Sequence, residues 1–471
     1  MSAAAALVVA AALAGCGTTT YFAGRTLPPS GLANRVLIAI QNPSSSNGGA
    51  LEIVDAFYDI RYKYNSTNTG PTYSISGYSG SLPTTIQNLP EEMLGAVYST
   101  GGGGNYTLVN YEGEKTNGGT VSLNGASSSV FITRDRAFVF AANQASHVLT
   151  ILNQTNGSSY PLSLPGVYRV SVNPGGSVAL VFVQNSNSIY YPRQLTGAET
   201  INYSGGPTTW PTGAVDCQPQ SAPVWCLYQA LDRDTKKPLT FDRPTKAVFS
   251  ADGGTAYILN CGPECGGSQA SVSAFAVAPV IFLTGKQSGR LPTQSELNSN
   301  TLAIPGGASN ALVSTSKMYV VGQQWMPDGH WSGQLTDVNL SAGMTKTAQV
   351  SISDGAPGAM SRMILADDNT LWIGMTKCTD GERASNGQPY GCLTMVNTST
   401  NAATLLPYNG DATGIAAVTG LHKIYTAEGG QVYIYSTVDG KSIDNQYVTV
   451  TGTAYDVAYM DAYTDGNNTV Y

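Results

Sequence analysis

The chain has 471 residues, only 11% of them charged, and a formal net charge of −7. No run of Lys or Arg is long enough to track a phosphate backbone, which argues against nucleic acid as a partner, because that affinity is largely electrostatic. A hydrophobic fraction of 42% with 53 glycines and 27 tyrosines excludes disorder as the default and reads as short strands joined by tight turns.

The chain opens on an apolar stretch, residues 3–15 (AAAALVVAAALAG). It is too short to cross a bilayer as a helix and ends in small residues, the pattern of a signal-peptide core. Leu13-Ala14-Gly15-Cys16 resembles the lipobox of bacterial lipoproteins. That resemblance implies cleavage before Cys16 and a diacylglycerol on its thiol. With Gly17 rather than Asp next, it also implies an outer-membrane destination in the cell envelope. Met1-Ser2 lacks the positive charge with which export signals normally start, which leaves open whether Met1 is the true start. The expected division is a signal peptide at 1–15, a lipidated cysteine and tether at 16–33, and one folded domain at 34–471 with an insertion at 195–243. Acyl chains on Cys16 would make the membrane its first partner.

From residue 35 onward a unit repeats. Its clearest strand is apolar and branched: RVLIAIQN (35–42), MLGAVYST (93–100), RAFVFAAN (136–143), SVALVFVQN (177–185), GTAYILN (254–260), KMYVVGQ (317–323), TLWIGMT (370–376) and KIYTAEG (423–429). Near-continuous apolar character means that both faces are covered. A second strand follows each copy, as in ALEIVDAF (50–57) and QVYIYST (431–437), and a shorter one ends at Gly in most units. Another strand precedes each copy after the first, from the weak TTIQNL (84–89) to TGIAAVT (413–419). Four antiparallel strands per unit bury their faces only by stacking on neighbours. The expected fold is therefore all-β, a β-propeller of eight four-stranded blades, with seven as the alternative count. AYDVAYMDA (454–462) reads as an inner strand for the first unit, so that the two chain ends share a blade and close the ring. The segment NNTVY (467–471) duplicates a strand position and fits less well.

Ser250-Ala251-Asp252-Gly253-Gly254 and Asn173-Pro174-Gly175-Gly176 resemble the strand corner of YVTN-type and lactonase-type propellers. Six cysteines remain after Cys16, and in an exported chain an even number implies disulfides. They fall as neighbours, predicting Cys217–Cys226, Cys261–Cys265 and Cys378–Cys392. Zinc is the rival reading at Cys261 and Cys265, but no partner pair or nearby His supports it. Counted from the inner strand as the first, connections between second and third strands share one face. There the segments 261–269, 322–332 and 377–391 carry Trp325, Trp331 and His330, and the insertion adds Trp210 and Trp225. This is the candidate recognition surface.

His147, His330 and His422 fall in separate units without ligand spacing, and no H-E-x-x-H, G-x-S-x-G, Walker or EF-hand motif occurs. Asp232/Asp234 and Asp367/Asp368 read as solvated turn residues. No catalytic residue, cofactor or metal ligand is assigned. The expected role is an envelope module binding a protein or glycan. The alternative is a lactonase-like or glycan-cleaving enzyme, which would need acidic, His or Arg residues converging on the central channel.

Overall fold

The computed structural model describes residues 27–44, 46–61, 72–196, 210–218, 223–355, 358–378, 390–443 and 447–462. The leader, Cys16, most of the tether, segment 379–389 and NNTVY lie outside the described residues. No described helix is long and apolar enough to cross a membrane.

Eight antiparallel sheets form the ring of a β-propeller. The count is therefore eight, not seven. Blade 1 joins the chain ends. Its inner strand Thr453–Tyr459 pairs with Arg35–Asn42, which pairs with Gly48–Asp55. The inner strands of blades 2 to 8 are Pro83–Leu89, Ser129–Ile132, Val167–Val172, Pro244–Phe249, Asn310–Ser314, Met360–Leu365 and Ala412–Val418. TTIQNL is thus a full inner strand despite its polar look. Six blades carry four or more strands. In blades 1 and 8 the outermost strand shrinks to isolated bridges, Glu52 with Ser74 and Val432 with Val448.

The apolar second strands are sandwiched as their sequence requires. Phe138–Asn143 and Leu94–Ser99 are buried along their whole length. Between blades 3 and 4, Trp225 lies 5.6 Å from the ring of Phe138, 5.8 Å from Phe282 and 6.0 Å from Tyr160. The insertion is therefore partly structural. Ala214–Cys217 and Trp225–Gln229 add two outer strands to blade 4. Trp225 is fully buried, which removes it from the recognition face. Its place in a paired strand turns the indole inward. Trp210 is half-buried against the Cys217–Cys226 cluster.

The two corners that look alike in sequence touch each other. Asn173 accepts the N–H groups of Ser177 and Val178 through Oδ1, and its Nδ2 donates to the Gly253 carbonyl in the next blade at 3.2 Å. Gly253 and Gly176 hold φ of 70° and 62°, which a glycine adopts without strain.

The three disulfides join the expected partners, with Cα–Cα distances of 4.0, 5.6 and 5.4 Å for Cys217–Cys226, Cys261–Cys265 and Cys378–Cys392. Cys217 and Cys226 lie opposite each other in paired strands rather than in a loop. Three such bonds fit an oxidising, exported setting.

Candidate functional site

The long hairpin of blade 6, Lys317–Trp325 with Trp331–Asn339, ends in the register pair Trp325↔Trp331. The two indoles meet edge to face, centroids 5.3 Å apart. Trp331 is half-buried and Trp325 is 55% exposed. In the turn between them, His330 Nδ1 lies 2.5 Å from Asp328 Oδ1. The structure thus brings all three expected residues, Trp325, Trp331 and His330, to one hairpin tip.

A carboxyl that sequence reading passed over braces this hairpin. Glu264 sits in the turn closed by Cys261–Cys265. Its Oε2 accepts the Gln323 N–H of blade 6 at 3.1 Å, and its Oε1 accepts the Gly358 N–H at 2.7 Å. Burial pushes the Glu264 carboxyl up to about 7, against the opposing pull of those amides and the Ser309 hydroxyl. The disulfide that forms the turn was the only signal in sequence.

A second constellation lies at the axis and has one member per blade. In six blades the residue entering the inner strand is Ser or Thr, with its hydroxyl in reach of a second-strand carbonyl. The pairs are Thr84 to Tyr98, Ser128 to Ala142, Thr245 to Leu259, Ser309 to Val321, Ser361 to Gly374 and Thr413 to Ala427 carbonyls. The Ser128 and Ser361 hydroxyls lie closer still to the next blade's inner strand, at 2.6 Å from the Tyr168 carbonyl and 2.9 Å from the Ala412 carbonyl. Tyr168 and Tyr455 hold the equivalent positions in blades 4 and 1, as the register of the next residues shows. In several of these blades the position is also a bulge, which re-aims the next side chain. The residues that follow form a layer: Thr85, Ser129, Arg169, Lys246, Asn310, Arg362, Gly414 and Asp456.

Neighbours within this layer touch. Lys246 Nζ donates to Asn310 Oδ1 at 2.8 Å. Arg362 Nη2 lies 3.8 Å from Asp456 Oδ2, reaching past blade 8. Gly414 makes this possible, because a Cβ there would lie 2.4 Å from Asp456 Oδ1. Asp456 accepts the Ile86 N–H at 2.8 Å and the Val457 N–H at 2.9 Å. Burial pushes its carboxyl up to about 6, with Arg362 and those amides opposing. Burial, and then the charges of Arg169 and Arg362, hold the Lys246 ammonium well below the ordinary lysine range.

Among the described residues two groups of potential metal donors come together. One is the disulfide Cys378–Cys392 beside Asp411. The other is Asp367, Asp368 and His422, which sequence spacing keeps apart and the corners of blades 7 and 8 unite. His422 Nδ1 lies 2.8 Å from Asp368 Oδ2, and Asp367 accepts the Gly420 N–H at 2.9 Å. These contacts pin one corner to the next. Asp232 accepts the N–H groups of Asp234, Thr235 and Gln294, a turn role, although it is buried rather than solvated.

No protein-family profile matches the chain, and no curated protein matches it in sequence. Solved structures align with it at low identity and with modest overlap. The dihydro-heme d1 dehydrogenase NirN is 11% identical with a TM-score of 0.49, over 91% of this chain and 75% of that one. Hydrazine synthase of Kuenenia stuttgartiensis is 14% identical with a TM-score of 0.47, over 79% of this chain and 99% of that one. A Bacteroides fragilis protein provisionally described as a 6-phosphogluconolactonase is 11% identical with a TM-score of 0.41, over 90% of this chain and 97% of that one. Likeness at this level assigns no activity to the chain.

Proposed function

We propose that the chain is an exported, lipid-anchored propeller that recognises an envelope protein or glycan through the hairpin tip of blade 6. One observation carries this reading: a 55%-exposed Trp325 set edge to face on Trp331 at the end of a braced hairpin. Large aromatics held rigidly at a surface offer contact area at low conformational cost. Glu264 and the Cys261–Cys265 turn support the preorganisation by tying the hairpin to its neighbours. The lipobox at Leu13–Cys16 supports anchoring, with the tether at 16–33 as spacer and outer-membrane placement following from Gly17.

The reading is tested by placing a photo-crosslinking residue at position 325 in the native cell. The control is position 438, where Val438 is 71% exposed. It follows the third strand of blade 8, so it lies on the opposite face. A discrete adduct from 325 and none from 438 is expected. Equal labelling from both, or none from 325, would overturn the reading.

A second reading, a lactonase-like or glycan-cleaving enzyme, is supported by the convergence of Arg169, Lys246, Arg362 and Asp456 at the axis. Glycan cleavage by the usual chemistry uses two carboxylates, whereas this layer holds one.

A further inference from the structure

The axial layer sets three cations, Arg169, Lys246 and Arg362, against one carboxylate. Asp456 is already committed to two backbone amides and stands 3.8 Å from Arg362. Among the described residues neither Arg169 nor Lys246 has an acidic partner. Lys246 is only 4% exposed, and its ammonium meets the neutral amide of Asn310. Arg169 is half-buried, with its guanidinium carbon 5.7 Å from the centroid of the Tyr168 ring. Burying an ammonium against a neutral partner beside two guanidinium groups opposes folding. The arrangement is explained when an anion supplies the missing charge. Guanidinium forks suit planar or tetrahedral oxyanions, and a lysine adds a point charge.

We infer that this layer binds a small, multiply charged oxyanion, bearing phosphate or carboxylate groups, held by Arg169, Lys246 and Arg362. The ligand enters along the axis on the side of blades 2 to 4, where Thr85, Ser129 and Arg169 are half-buried. The hydroxyl of Thr85 adds a neutral donor to the same layer, whereas that of Ser129 donates to the Val170 carbonyl of blade 4. The inference stands apart from the recognition face, which lies at the hairpin tip of blade 6.

The test is isothermal titration of the full-length protein in neutral detergent, at low ionic strength. Inorganic phosphate and citrate are titrated separately, with sodium chloride at matched ionic strength as control. Saturable one-to-one binding of phosphate, citrate or both is expected, and whichever binds tells phosphate from carboxylate chemistry. Chloride should give no saturable heat. Lys246→Met and Arg169→Gln should each weaken binding by about tenfold or more, the usual loss when a charged hydrogen bond is removed. The site is overturned if neither anion saturates below about 10 mM, if chloride competes equally, or if both variants bind like the parent. A neutral Lys246 amine serving only Asn310 would produce the first result. Should Lys246→Met fail to fold by circular dichroism, Arg169→Gln at the half-buried rim decides.

Discussion

At the scale of single residues, the buried acids set how stability varies with pH. Glu264 titrates near 7 in the folded chain against an ordinary value of 4.5, because burial favours its neutral form. An acid whose folded value is raised binds its proton more tightly in the native state. Its contribution is therefore full below about pH 4.5 and is lost as pH rises toward about 7. The difference is worth about 3 kcal/mol at most. Glu428, pushed by burial to about 7, and Asp456, at about 6, act in the same direction. Unfolding free energy from urea titrations should thus fall between about pH 5 and pH 8. Glu264→Gln should remove about 1–3 kcal/mol of that fall and leave the remainder. Superimposable curves for parent and variant would show that Glu264 does not carry its proton into the fold.

At the scale of elements, the blade interfaces depend on a few large side chains. Trp225 fills the space between blades 3 and 4 with Phe138, Tyr160 and Phe282. Trp225→Ala should cost about 3–5 kcal/mol, since the surrounding strands cannot collapse into the gap. A change below about 1 kcal/mol in the urea midpoint analysis would mean that the strand is dispensable to the blade. This residue also marks where the sequence misleads. Strands with continuous apolar runs, such as RVLIAIQN, reveal themselves because both of their faces are covered, and the blade count followed from them. Trp225 sits in a short apolar run, Val224–Tyr228, that stands inside a proline-containing insertion and outside the repeat, so the spacing of the units does not mark it as a strand of blade 4. The aromatic tip at Trp325 and Trp331 was legible because two tryptophans flank a Pro-Asp-Gly turn. The axial layer was not, since each blade contributes one residue and no local pattern binds Arg169 to Lys246 or Arg362. Its only trace is the Ser or Thr entering six inner strands, which is meaningful once the register is known.

At the scale of the whole molecule, stability rests on closing the ring between distant chain ends. Arg35, only 1% exposed, begins the second strand of blade 1 and holds the residues that complete the circle. Its Nη2 donates to Asp461 Oδ1 at 2.6 Å, its Nε to Asp461 Oδ2 at 3.2 Å and its Nη1 to Glu114 Oε1 at 3.0 Å. Glu114 in turn accepts the Ser30 N–H at 2.8 Å. One guanidinium thus joins the first strand, the segment after the last strand, blade 2 and the N-terminal approach. Arg35→Met leaves Asp461 and Glu114 buried without their cation, which should cost about 3–5 kcal/mol. The loss should concentrate at the closure: amide exchange in Arg35–Asn42 and Thr453–Tyr459 should accelerate more than in Phe138–Asn143, on the far side of blade 2. Arg35→Lys keeps the charge but not the two-pronged contact to Asp461, so its loss should be smaller. If Arg35→Met accelerates exchange equally in every blade, the ring unfolds as one unit and the latch has no local character. If it accelerates none, strand pairing alone closes the propeller, and the buried triad adds nothing to it.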